Sequence, residues 1–162
     1  QLFNIMGDSG SGKSSVGQAL ADELNCSFFD ADDFHPQANV DKMAAGTPLT
    51  DADRWPWLDR LAELLKPADE RGETAVLACS ALKKSYRDKL RVKTAVRFIY
   101  LHGSFGLIWQ RMQARQNHYM KANMLQSQFD TLEQPQGKDV QTISIDQPIA
   151  TILAQILHTL AK

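Results

Sequence analysis

The chain has 162 residues, a length that suits one domain with a proper core, and its formal net charge of −1 gives no support to nucleic acid or an anionic membrane as partner, while leaving room for a local basic site. No apolar run approaches the ~18 residues of a membrane helix, and no signal peptide is visible. The two cysteines, Cys26 and Cys79, lack metal-type spacing and suit a reducing compartment, so a cytoplasmic location is expected.

Leu2 to Met6 is a short apolar run that reads as a buried strand. A glycine-rich stretch follows, and then Val16, Ala19, Leu20 and Leu24 stand at helical spacing within Ser15 to Leu24. Ser27 to Asp30 is a short strand, and Pro36 stops regular structure after it. A short helix is expected over 37–46, ended by Gly46, and Thr47 to Pro56 reads as loop. The next helix runs from about Trp57 to Lys66, with Pro67 ending it or beginning the next turn. Thr74 to Cys79 and Ala95 to Leu101 are strands, with helical charges over Ser80 to Arg91 between them. Helices are expected over Phe105 to about Arg115 and Met124 to Leu132, then a strand over Val140 to Ile145. The last helix, Pro148 to Leu160, carries an apolar stripe of Ile149, Ile152, Leu153, Ile156, Leu157 and Leu160. Strands alternating with helices predict a three-layer α/β fold, with about five strands in a mostly parallel sheet covered on both faces. Ligands of such sheets bind beyond the carboxyl ends of the strands. That rule gathers Gly7 onward, Asp30 onward, Cys79-Ser80 onward and Gly103 onward into one site.

Gly7-Asp8-Ser9-Gly10-Ser11-Gly12-Lys13-Ser14 fits the phosphate-loop pattern G-x-x-x-x-G-K-[ST] in full, between a strand and a helix. Such a loop turns backbone N–H groups inward, and the helix N-terminus adds unpaired N–H groups and a positive dipole end. The residues from Gly7 to Ser15, namely Gly7, Asp8, Ser9, Gly10, Ser11, Gly12, Lys13, Ser14 and Ser15, are therefore expected to hold a nucleotide's phosphates. Lys13 would reach the β- and γ-phosphates and the Ser14 hydroxyl would ligate Mg²⁺. An acid inside a phosphate loop is unhelpful if it faces the ligand, so the Asp8 side chain is expected to point outward.

Phosphoryl transfer needs one carboxylate on the metal side and one to accept the proton of the attacking hydroxyl. Asp30 is assigned mainly to the metal and Asp32 to the acceptor, with swapped or shared roles, or a solvated acidic turn, as alternatives. His35 suits either a polar contact to substrate or a cap in the turn. Arg54 suits a bidentate grip on a carboxylate or a surface pair with a neighbouring aspartate; Trp55 and Trp57 read as core or interface. Lys83 and Arg87 are four apart, on one helix face that either approaches an anionic acceptor or is simply solvated. Arg111 and Arg115 share a face that His118 and Lys121 extend. They fit a mobile lid bringing cations to the transferring phosphate, or a charged exposed helix.

Together these pieces resemble the small gluconate kinase (gluconokinase) family of P-loop kinases, over nearly the whole chain. The resemblance rests on the phosphate loop at 7–14, on Asp32-Asp33-Phe34-His35-Pro36 with Asn39 and Lys42-Met43, and on Gly46 to Asp51 with Asp53-Arg54 and Pro56-Trp57-Leu58. It continues with Cys79 to Lys84 and Tyr86-Arg87-Asp88, with Arg111, Arg115 and His118, and with Ser127-Gln128-Phe129, Leu132-Glu133 and Pro135. It implies ATP- and Mg²⁺-dependent phosphorylation of D-gluconate at its 6-hydroxyl, and a single domain resembling the nucleoside monophosphate kinases. It also implies a substrate-binding insert at about 33–56, a lid at about 112–125, and commonly a homodimer. Lys13, Asp32, Arg111 and Arg115 would then be catalytic, and Asp32, His35, Arg54, Lys83, Arg87 and His118 would meet the sugar acid. Three positions depart from the family pattern: Ala31 replaces a usual glycine, Asp8 a common small apolar residue, and Tyr119 a frequent phenylalanine.

Overall fold

The structure is a computed structural model, and it describes residues 1–91, 96–114 and 122–160. Five strands form one sheet: β1 (Leu2–Met6), β2 (Ser27–Asp30), β3 (Ala75–Ala78), β4 (Val96–His102) and β5 (Val140–Ser144). Their spatial order is β2-β3-β1-β4-β5, and every pairing is parallel. The chain starts in the middle, fills one side, and then crosses to the other. The loops after β1 and β3 therefore part at a switch point, which opens a crevice at the strands' carboxyl ends.

Strand alternation sends successive side chains to opposite faces, and each face is sealed by helices. On one face Leu2, Met6, Leu77 and Phe98 pack against α3 (Asp51–Glu70) and α4 (Lys84–Leu90). On the other, Phe3, Ile5, Val76 and Ile99 pack against α1 (Lys13–Leu24), α5 (Phe105–Ala114), α6 (Ala122–Thr131) and α7 (Ile149–Leu160). β1 is covered on both faces and paired on both edges, so all five of its residues are buried. Its one polar side chain, Asn4, donates to the Cys79 carbonyl at 3.3 Å.

The predicted elements are present, with one large difference in the helix after residue 46. α2 (Gln37–Ala44) ends as expected, but α3 begins at Asp51 and runs through both Pro56 and Pro67. The cause is a reciprocal capping box. Thr50 Oγ1 accepts from the Asp53 N–H at 3.2 Å, and Asp53 Oδ2 accepts from the Thr50 N–H at 2.9 Å. The box fixes where the helix starts, and burial of Trp57, Leu58, Leu61 and Leu65 carries it through two prolines, each of which deletes one main-chain hydrogen bond. The Asp53 carboxyl is held down to about 2 by the Lys42 ammonium, 2.8 Å away, and by the Thr50 N–H.

Candidate active site

The phosphate loop closes on itself at the tip of β1. Gly7 has φ +147°, and a Cβ there would lie 2.7 Å from the Leu101 carbonyl oxygen, so only glycine fits. Gly12 has φ +94° and caps α1 without a side-chain hydrogen bond. The first-turn amides of α1 thus remain available to an anion. Lys13 Nζ lies 3.1 Å from the Asp8 carbonyl oxygen and lines the cleft beside Gly10, Gly12, Ser14 and Ser15.

Across the cleft, β2 ends in Asp30 and runs into a 3-10 turn over Ala31–Phe34. Asp30 uses both carboxylate oxygens. Oδ1 accepts from the Asp32 N–H at 3.0 Å, capping the turn, and Oδ2 accepts from Ser14 Oγ at 2.6 Å. The turn breaks the strand alternation that would put residues two apart on one face. Asp32 instead projects into the cleft, its side chain 80% exposed. The surrounding protein still limits its hydration. That partial desolvation raises its pKa, Lys13 pulls it down, and Asp30 pushes it up again.

Four expectations need correction. Asp8 does not point outward: it is 2% exposed, and its Oδ1 has no hydrogen-bond partner. Burial pushes its pKa up to about 6, against the pull of Lys13 and then His102. Because the folded state binds this proton more tightly than the unfolded chain, stability is full below the ordinary value of 3.8 and is lost as pH rises through about 6. Asp8→Asn should therefore melt higher than the unaltered protein at pH 8, by up to about 3 kcal/mol in stability, with the advantage shrinking toward pH 4. Thermal melts at both pH values check this; an advantage independent of pH would place the effect elsewhere.

Arg87 does not face an acceptor. It is 3% exposed, and its guanidinium donates to the carbonyls of Ala81 at 2.8 Å, Leu82 at 3.2 Å and Glu133 at 3.0 Å. It holds the loop after β3, where Ala81 has φ +44°. Arg87→Met should cost about 2–4 kcal/mol in urea unfolding, because three carbonyls lose a charged donor. A loss below ~0.5 kcal/mol would remove it from the framework.

Lys83 precedes α4 and is drawn to Asp51, its Nζ at 3.1 and 3.2 Å from the two carboxylate oxygens. Asp51 also accepts from the Tyr86 hydroxyl. Tyr86 first and Lys83 second hold the Asp51 pKa below its usual value. Arg111 is turned to the Ile145 carbonyl at 2.7 Å, and is not among the described side chains that line the cleft. Arg115, His118 and Lys121, and most of the expected lid, lie outside the described residues.

Arg54 does reach the cleft. Its Nη1 donates to the Leu49 carbonyl at 2.7 Å and to the Tyr86 hydroxyl at 3.1 Å. Its remaining donors have no partner among the described residues. His35 also lines the cleft, stacked on Trp57 with ring centroids 4.0 Å apart. Trp57 is 4% exposed, as a core residue should be.

Sequence reasoning gave no role to Asn39 or Gln128. Gln128 of α6 clasps the phosphate loop: its Oε1 accepts from the Ser9 N–H at 2.7 Å and its Nε2 donates to Ser9 Oγ at 3.0 Å. A contact across 119 residues leaves no local signal.

The site therefore joins an anion-binding loop, a hydroxyl–carboxylate pair, a projecting carboxylate and a guanidinium in one cleft. A family model described as shikimate kinase matches residues 9–161. The thermoresistant gluconokinase of Escherichia coli K12 is 42% identical over 164 residues, covering 99% of this chain and 94% of that protein. The chain belongs to the gluconokinase family, within the wider shikimate kinase group. A solved gluconokinase from Sinorhizobium meliloti 1021 is 43% identical to this family member, with TM-score 0.86, covering 98% of this chain and 94% of that one. A solved sugar kinase from Janibacter sp. HTCC2649 is 39% identical, with TM-score 0.93, covering 99% and 94%.

Proposed function

We propose that this gluconokinase family member transfers the γ-phosphoryl group of ATP to the 6-hydroxyl of D-gluconate, giving 6-phosphogluconate and ADP. The observation that carries the reading is the pairing of Lys13 and Asp32 across one cleft with Arg54 on its wall. The loop amides and Lys13 bind the phosphates and stabilise the charge that develops on transfer. Asp32 takes the proton of the attacking hydroxyl. Arg54 receives the sugar-acid carboxylate. Of the three basic candidates it is the one lining the cleft, since Lys83 is paired with Asp51 and Arg87 is bonded to carbonyls.

Ser14 and Asp30 fit a magnesium ion, because a hydroxyl and a carboxylate at the foot of a phosphate loop are the hard oxygen donors that this cation prefers. When bound, the ion neutralises phosphate charge. The segment at about 112–125 is proposed as a lid carrying Arg115 and His118, and 33–56 as the acceptor-binding insert. No helix among the described residues is long and apolar enough to cross a membrane. A cytoplasmic homodimer completes the proposal, with its stoichiometry checked by light scattering.

The test is ADP release with Mg·ATP against D-gluconate, shikimate, other sugar acids and nucleoside monophosphates. Stimulation by gluconate alone is expected. Stimulation by a different acid keeps a kinase and discards this acceptor, and nucleotide binding without stimulation discards the transfer itself.

A further inference from the structure

Asn39 lies in α2, 3% exposed, behind His35 of the cleft wall. Its Nδ2 is 2.9 Å from the Asp53 carbonyl oxygen and 3.2 Å from His35 Nδ1. A backbone carbonyl can only accept, so the atom facing it must be the amide nitrogen. The amide orientation is thereby fixed. The second amide proton is then directed at His35 Nδ1, and a ring nitrogen facing a donor must be bare. A neutral imidazole with bare Nδ1 carries its proton on Nε2. Burial, then Arg54, lowers the ring's pKa to about 4, which agrees with a neutral ring. The ring plane is set as well: it stacks on Trp57 at an interplanar angle of 17°, and Trp57 Nε1 donates to the Ala31 carbonyl at 2.7 Å.

The remaining nitrogen, Nε2, lies 3.8 Å from Asp32 Oδ1. That is longer than a hydrogen bond, but Asp32 projects into an open cleft, and such contacts tighten when a substrate excludes water. We infer that Asn39 is a positioning residue that holds His35 in the Nε2–H form, so that His35 donates to one oxygen of Asp32 and leaves the other to take the proton of the acceptor hydroxyl. The kinetic part of this rests on Asp32 acting as the base; the tautomer does not.

Imidazole-¹⁵N labelling of the full chain, read by long-range ¹H–¹⁵N correlation without nucleotide, tests the tautomer directly. The His35 signals are assigned by their loss in His35→Gln. Bare Nδ1 and protonated Nε2 are expected, and a mixed tautomer in Asn39→Leu. A protonated Nδ1 in the unaltered protein overturns the inference, whichever acceptor the enzyme uses.

Kinetics with the acceptor that stimulates ADP release give the second readout. Asn39→Leu and His35→Ala should each lower kcat by about tenfold while KM for ATP stays within about twofold, the size expected for one lost hydrogen bond to a charged group. His35→Gln places an amide nitrogen where Nε2 stood and should restore most of kcat; the shorter His35→Asn should not. Should Asn39→Leu fail to fold, the His35 series and the unaltered protein's tautomer still decide. A kcat for His35→Gln no better than for His35→Ala overturns the donor role. A purely structural Asn39 would lower stability and leave the tautomer where it was.

Discussion

Lys13→Ala is expected to cut turnover by at least ~10²-fold while the fold persists. The size follows from where the ammonium acts. Lys13 is the first residue of α1 and extends along the phosphate loop toward the Asp8 carbonyl, inside the cleft. Charge at a transferring phosphoryl group develops in a site with few waters, where one fixed cation contributes far more than it would in bulk solvent. The loop amides remain in the variant, so nucleotide affinity should fall less than kcat. Alanine is a good helix former, and the Lys13 ammonium lies in the cleft with its hydrogen bond to the Asp8 carbonyl, so circular dichroism and thermal melting should stay near those of the unaltered protein. Steady-state ADP release with saturating acceptor is the measurement. A near-normal rate would remove Lys13 from the mechanism and leave the loop as a binding element only.

What could be read in the chain, and what could not, divides along a physical line. The phosphate loop was legible because its function requires local sequence: Gly7 and Gly12 adopt φ values that other residues resist, and Lys13 and Ser14 follow at fixed spacing. The three inner strands, β1, β3 and β4, were legible because parallel strands buried on both faces need continuous apolar runs. The early start of α3 was written in Thr50-Asp51-Ala52-Asp53 as a capping box, but Pro56 and the charges around it read more loudly as loop. Arg87 was misplaced because helical spacing gives a residue's face and not what covers that face; residue 133 arrives from another element and its carbonyl takes the guanidinium. Asp8 was misplaced for a related reason. The argument that an acid should avoid a phosphate is sound, but the loop satisfies it by turning Asp8 inward toward β4, where burial raises its pKa. Asn39 counted only as part of the family pattern, since a single asparagine on a short helix gains a role only from the carbonyl of Asp53 and the ring of His35.

Asp32→Asn is the sharper test of the chemistry, with kcat expected to fall by about 10²–10⁴-fold and ATP binding nearly unchanged. The two carboxylates of this site are not interchangeable. Asp30 spends one oxygen on the Asp32 N–H and the other on the Ser14 hydroxyl, so it is committed to the turn and to the loop. Asp32 has no hydrogen bond to its carboxylate among the described residues, and it projects into the cleft. The desolvation by the cleft walls that raises its pKa makes it a stronger base than a free carboxylate, while the Lys13 charge keeps the ionised form accessible. Asparagine preserves its shape and removes the proton-accepting charge, so the loss should appear in the transfer step. Equal losses in kcat and in ATP affinity would assign Asp32 to the metal side instead. The contrast with Asp30→Asn then separates the roles: that variant weakens both the Ser14 contact and the cap of the turn, so its loss should include nucleotide affinity, whereas the loss in Asp32→Asn should not.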